Sequence, residues 1–316
     1  MPRISVVVPT CRRPDLMARC LDALAAQSLD RSDFEVIVVD DAGEEPTRRL
    51  VEGQGALYLA TPGGPLGPAS ARNLGWRHAS APMIAFTDDD CLPDPAWLAE
   101  GLAALGHDEV AATGRVVVPI PEAPTDYERD AAGLAGAEFV TANLFCRRGA
   151  LEAVGGFDER FAVAWREDSD LHFALIGRGG RIARAPLAVV VHPVRPARWG
   201  VSLGQQRKSL FDALLFRKHP ALYRLKIRPG PPWDYYATVA SAGLALLGLA
   251  LGSRALALAA AGLWAGLTAR FCLARLRWTT RRPGHVAEMV ATSAAIPFLS
   301  VFWRLYGAWK FRARFF

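Results

Sequence analysis

The chain has 316 residues, 51% of them apolar, and a formal net charge of +6. That length allows two domains, or one domain with an appendage, and a sizeable core. The excess charge is gathered at 195–228, 270–282 and 304–314, beside apolar stretches. Charge placed there suits anionic lipid headgroups, and without a helix-turn-helix, RNP-like or zinc-finger pattern it excludes nucleic acid as the expected partner.

In chain order, a β-branched strand over 4–8 ends at Pro9-Thr10, and Pro14 opens a helix to 27. A buried strand over 34–39 runs into Asp40-Asp41, and a third strand is expected at 56–59. A Gly/Pro-rich loop, 62–68, leads to a helix over 69–78. The strand 83–86 is followed by Thr87 and the run Asp88-Asp89-Asp90. A helix over 95–105 and a strand over 110–118 come next. The second half predicts a helix over 167–178, two short strands at 181–185 and 188–192, and a basic-faced helix over 200–219. Strands alternating with helices predict βαβ units and a mostly parallel sheet with helices on both faces. Ligands of such sheets bind beyond the carboxyl ends of the strands. Thr10, Asp41 and the three aspartates fall at those ends.

From about residue 237 the chain is rich in Ala, Leu and Gly. Apolar segments at 237–252 and 255–269 reach the ~20 residues needed to span ~30 Å of hydrocarbon once extended to Trp233 and Leu273. A buried helical hairpin is the alternative, but neither segment has a polar face. The third segment, 289–303, contains Pro297 and ends in a basic-aromatic run. A third crossing would put 304–314 opposite the basic loop 270–282, so an interfacial helix is the favoured reading. The expected layout is a catalytic domain over 1–228 and a membrane-associated region over 229–316. Five irregularly spaced cysteines without a CxxC pair fit a reducing compartment. The N-terminus carries no signal peptide pattern, so the catalytic domain is expected on the cytoplasmic side of a plasma or inner membrane.

Asp88-Asp89-Asp90 reads either as an acidic turn or as a ligand set for Mg²⁺ or Mn²⁺, which prefer oxygen donors and often sit between carboxylates and phosphates. Three adjacent like charges are costly without a counter-ion, which favours the ligand set. Asp41 can accept from a nucleobase N–H or serve as a turn residue. Arg72 can fork onto a phosphate or form an ion pair. Asp168, beside Glu167, can deprotonate a hydroxyl or simply stabilise a helix N-terminus. His192, at a strand end, is a structural residue or a further metal ligand.

The runs Val6-Val7-Val8-Pro9-Thr10, Val38-Val39-Asp40-Asp41, Pro68-Ala69-Ser70-Ala71-Arg72-Asn73-Leu74-Gly75 and Phe86-Thr87-Asp88-Asp89-Asp90 come in order. Thr141-Ala142-Asn143-Leu144-Phe145-Cys146-Arg147, Gly155-Gly156-Phe157-Asp158-Glu159 and Glu167-Asp168-Ser169-Asp170-Leu171 follow. Together, over about residues 3–220, they resemble the family 2 glycosyltransferases of the GT-A fold. The resemblance implies an inverting, metal-dependent transfer from a nucleoside-diphosphate sugar to a hydroxyl acceptor. It implies that Pro9, Thr10 and Asp41, with Arg12 beside them, hold the nucleoside, and that Arg72 lies near the diphosphate. Asp88 then faces the ribose, Asp89 lines the same pocket, Asn143 shapes it, Asp90 and His192 bind the metal, and Asp168 is the base.

The QxxRW motif of processive members is absent: Gln205-Gln206-Arg207-Lys208 has no Trp after the Arg. This implies single addition, and the apolar tail suggests a lipid-linked or cell-envelope saccharide as acceptor. The rivals are a sugar-phosphate nucleotidyltransferase, which would carry a Gly-rich basic loop after the first strand, and an inactive membrane scaffold.

Overall fold

The structure is a computed structural model and describes residues 1–315. Two compact units compose it: Met1–Pro119 with Ala132–Val194, and Ile120–Ala131 with the chain from Arg195 onward. The helices between 201 and 226, expected in the catalytic domain, pack within the second unit.

The first unit is built on one eight-stranded sheet in the order β3-β2-β1-β4-β7-β6-β8-β5. Its strands are β1 (Ile4–Thr10), β2 (Phe34–Asp40), β3 (Leu57–Ala60), β4 (Met83–Phe86), β5 (Leu92–Pro93), β6 (Glu109–Val117), β7 (Leu144–Arg147) and β8 (Arg181–Val191). Pairings β1–β2, β2–β3, β1–β4 and β6–β8 are parallel. β7 is antiparallel to both β4 and β6, and β5 to β8. The sheet is therefore mixed α/β, with β7 and β5 reversed against the rest.

The helices are α1 (Pro14–Ala25), α2 (Glu45–Gly53), α3 (Pro68–His78), α4 (Trp97–Ala103), α5 (Asp126–Ala132), α6 (Arg148–Val154) and α7 (Glu167–Gly177), with most of α5 in the second unit. Apart from α5, they pack into two cores, one on each face of the sheet. Ile4, Val6 and Val8 of β1 join Met17, Leu21 and Trp97 in one core. Val7 joins Ala71, Trp76 and Leu171 in the other. A strand buried on both faces reads as an unbroken apolar run, which is why β1 lacks alternation. Gly75 lets α3 lie against β1, since a Cβ there would come within 2.4 Å of Val7 Cγ1.

Where two short strands were expected, β8 is one strand. The register with β6 shifts between Gly114↔Ala185 and Arg115↔Val189. This bulge absorbs Pro186, which has no N–H for the ladder.

The second unit holds α5, α8 (Val201–Gln205), α9 (Leu210–Lys218), α10 (Pro220–Lys226), α11 (Trp233–Ala250), α12 (Arg254–Leu276) and α13 (Pro283–Lys310). The expected helix 200–219 is broken by a 3₁₀ turn at Gln206–Ser209. Among the described residues, the helices long and apolar enough to cross a membrane are α12 and α13, with mean hydropathies of 1.6 and 1.5 over an 18-residue stretch of each. The expected first span, α11, is not one of them. α13 continues through Pro297. Arg304 does not join a basic flank: it is buried, stacked on Phe315 and bonded through Nε to the Tyr236 hydroxyl at 3.1 Å.

Candidate active site

Thr10 ends β1, Asp41 follows β2, Asp88–Asp90 follow β4 and His192 follows β8. These strands are mutually aligned, so the side chains collect at one edge of the sheet. β5 returns from the aspartate run and pairs antiparallel with β8, setting Leu92 opposite Val191. That short return brings His192 Nε2 to 3.5 Å from Asp90 Oδ1.

Ligand atoms of Asp88, Asp90, Cys91 and His192 all lie within 4.8 Å of one another. Burial raises the pKa of the Cys91 thiol well above its ordinary value, so it is a neutral and poor donor. The remaining set is two carboxylates and one imidazole. This chemistry fits a divalent cation of the Mg²⁺ or Mn²⁺ class.

Behind this cluster, Arg72 projects from α3 and is buried. Its Nη2 donates to Asp88 Oδ1 at 2.7 Å and its Nη1 to Glu167 Oε1 at 3.2 Å. Burial works against the guanidinium charge, but Asp88 and Glu167 outweigh it and raise the pKa. Glu167 is the first residue of α7, entered through Arg166 in the left-handed region at φ 73°. Burial, then the neighbouring Asp168 charge, pushes the Glu167 carboxyl up to about 7 against the pull of Arg72.

Asp168 is half-buried in the first turn of the same helix. Its Oδ1 accepts from the Ser169 amide at 2.6 Å and the Ser169 hydroxyl at 3.2 Å. Burial raises its pKa, opposed by the Ser169 amide and by Arg166 and Arg72.

Residues 5–157 match the family model described as Glycosyl transferase family 2. That segment belongs to glycosyl transferase family 2. The match ends before Asp168 and His192. Among curated relatives, Glycosyltransferase AglE of Haloferax volcanii is 26% identical over 244 residues, covering 70% of this chain and 79% of that protein. Validoxylamine A glucosyltransferase of Streptomyces hygroscopicus is 28% identical over 272 residues, covering 70% of this chain and 62% of that one. The chain thus spans less than two thirds of the second relative. Among solved structures, a mannosyltransferase from Pyrobaculum calidifontis in complex with GDP-Man and Mn²⁺ superposes with a TM-score of 0.60 at 24% identity. The match covers 96% of this chain and 87% of that one. Staphylococcus aureus TarS in complex with UDP-GlcNAc has a TM-score of 0.52 at 16% identity, covering 94% and 91%. At these identities the superpositions establish the GT-A-like fold.

Several residues expected in the family 2 site have other partners. Asp89 accepts from the Thr10 hydroxyl at 2.7 Å and from Arg13 at 3.2 Å, and is buried. Asp41 accepts from Thr61, the Leu66 amide and the Gly67 amide at 2.8–2.9 Å, which orders the Gly/Pro loop. Gly67 must be glycine: its φ is 101° and a Cβ would lie 2.5 Å from the Ala162 carbonyl. Asn143 accepts from Trp97 Nε1 and donates to the Arg115 and Ala188 carbonyls at 2.9–3.0 Å, tying the β6–β8 bulge. Pro9 is half-buried in β1. Arg12, at φ 58°, is exposed, 3.8 Å from Glu44.

Glu167 and Cys91 were not among the expected site residues. The Glu-Asp pair before a helix was the available signal for Glu167. For Cys91 only adjacency to the aspartates pointed there.

Proposed function

We propose that this chain transfers a sugar from a nucleoside-diphosphate sugar to a hydroxyl acceptor with inversion. The observation that carries this is the meeting of Asp90 and His192 at the edge of a family 2 sheet. Asp168 takes the acceptor hydroxyl proton as that oxygen attacks the anomeric carbon. The bond to the diphosphate breaks in the same displacement, so no covalent enzyme intermediate is needed. Asp90 and His192 would hold a divalent cation, which would supply charge neutralisation for a departing diphosphate. Asp88 faces the ribose, and Pro9, Thr10, Arg12 and Asp41 flank the nucleoside. Asp41 keeps a lone pair on Oδ2 for a base N–H, since a carboxylate offers about four acceptor sites.

The complexes of the structural neighbours with GDP-Man and UDP-GlcNAc support a nucleotide-sugar donor. The apolar helices α12 and α13 support a membrane anchor with the catalytic unit in the cytoplasm, and hence a lipid-linked or cell-envelope saccharide as acceptor. The test is incubation of the purified full chain with Mn²⁺ and a panel of nucleotide-sugars, reading nucleotide release and binding. Neither binding nor hydrolysis with any donor would overturn the reading.

A further inference from the structure

We infer that Arg72 is a positioning residue that links the donor-side carboxylate Asp88 to the helix carrying Asp168, rather than a ligand of the diphosphate. The inference rests on the transferase reading above.

Three observations on the guanidinium carry it. It is 3% exposed, so it presents almost no surface to a ligand. Two of its nitrogens are taken by Asp88 and Glu167, and the third, Nε, is buried with no hydrogen-bond partner. Its single positive charge faces two carboxylates that occupy both arms of the fork, which leaves little positive charge directed at a phosphate. A planar fork with separate arms suits a bridge between two carboxylates, which the point charge of lysine does not reproduce.

Neighbouring contacts make the bridge part of a frame. Asn73, the next residue on α3, grips Phe157 through both its amide nitrogen and its carbonyl at 2.9 Å. The Phe157 ring lies 5.7 Å from the Arg72 guanidinium. α3 therefore holds the turn after α6 with one side chain and the α7 entrance with the next. Glu167 Oε2 is also buried without a partner, which leaves Arg72 as the only cation within salt-bridge distance of that carboxylate among the described residues. Removing one partner of a buried pair leaves an uncompensated charge, so the first turn of α7, and Asp168 on it, would move.

The experiment compares full-chain Arg72→Met, Arg72→Lys and Glu167→Gln with wild type. GDP and UDP binding with Mn²⁺ is measured by calorimetry, donor KM and kcat by transfer, and amide exchange across α7. Arg72→Met is expected to lower kcat at least about tenfold while nucleotide Kd stays within about threefold, with faster exchange in the first turn of α7. Arg72→Lys should recover part of kcat, because an ammonium reaches one carboxylate but not both. Glu167→Gln removes charge with little change of shape and should show the same kcat-against-Kd split if Arg72→Met fails to fold. A nucleotide Kd that rises as much as kcat falls overturns the inference, and so does unchanged exchange in α7. Wild type that binds no nucleotide sinks the transferase reading instead, and the exchange result then decides the link on its own.

Discussion

His192 Nε2 and Asp90 Oδ1 meet at 3.5 Å although β8 and β4 are separated in the sheet by β7 and β6. The contact exists because the chain after Asp90 doubles back as β5 and pairs with β8 just before His192. A carboxylate and an imidazole brought together this way bind a divalent cation better than either does alone.

His192→Ala and Asp90→Asn should each weaken Mn²⁺-dependent nucleotide binding by about tenfold or more, worth ~1.4 kcal/mol. Calorimetry with Mn²⁺, and again with EDTA, checks this. Equal affinities with and without the cation would remove both residues from the metal site.

Asp168→Asn should cut transfer by about 10²–10⁴-fold, the usual contribution of a general base, and leave nucleotide affinity nearly intact. Steady-state transfer beside nucleotide calorimetry separates the two effects. If Asp168→Asn and Asp90→Asn lost nucleotide binding equally, the assigned division of labour would be wrong.

The pH profile follows from the shifts at Asp168 and Glu167. A base acts only when deprotonated, and burial raises the pKa of Asp168. Transfer should therefore rise with pH, with an acid limb above the usual aspartate range. The Glu167 carboxyl, pushed up to about 7, titrates toward the neutral end of that limb. In Glu167→Gln the limb should become simpler, because one ionisation is removed. A kcat/KM profile flat from pH 4 upward would contradict the raised pKa of the base.

Asn143→Ala should destabilise the first unit by about 2–4 kcal/mol. It strands the Arg115 and Ala188 carbonyls and the Trp97 indole N–H, and each unsatisfied buried group costs about 1–3 kcal/mol before relaxation. Denaturant unfolding measures this. A loss of nucleotide affinity with unchanged stability would instead favour a direct role in the pocket.

A reporter fused after Phe316 should read cytoplasmic. Two crossings, by α12 and α13, return the chain to its starting side, as would the expected pair of α11 and α12 with an interfacial α13. A reporter on the far side would require an odd number of crossings.

Much of this molecule is legible in local sequence. Strand alternation with helices, the unbroken apolar β1 and the aspartates after β4 depend on residues close in the chain, and the seven ordered runs point to the family. What each aspartate does was decided only by tertiary structure. Thr10 and Arg13 capture Asp89, Arg72 captures Asp88, and Asp90 turns to His192. Asp41 and Asn143 are drawn largely into loop and bulge contacts for the same reason. Consecutive carboxylates in a turn are chemically alike, so their directions are set by partners that approach from remote strands and helices. No spacing within the run encodes those partners.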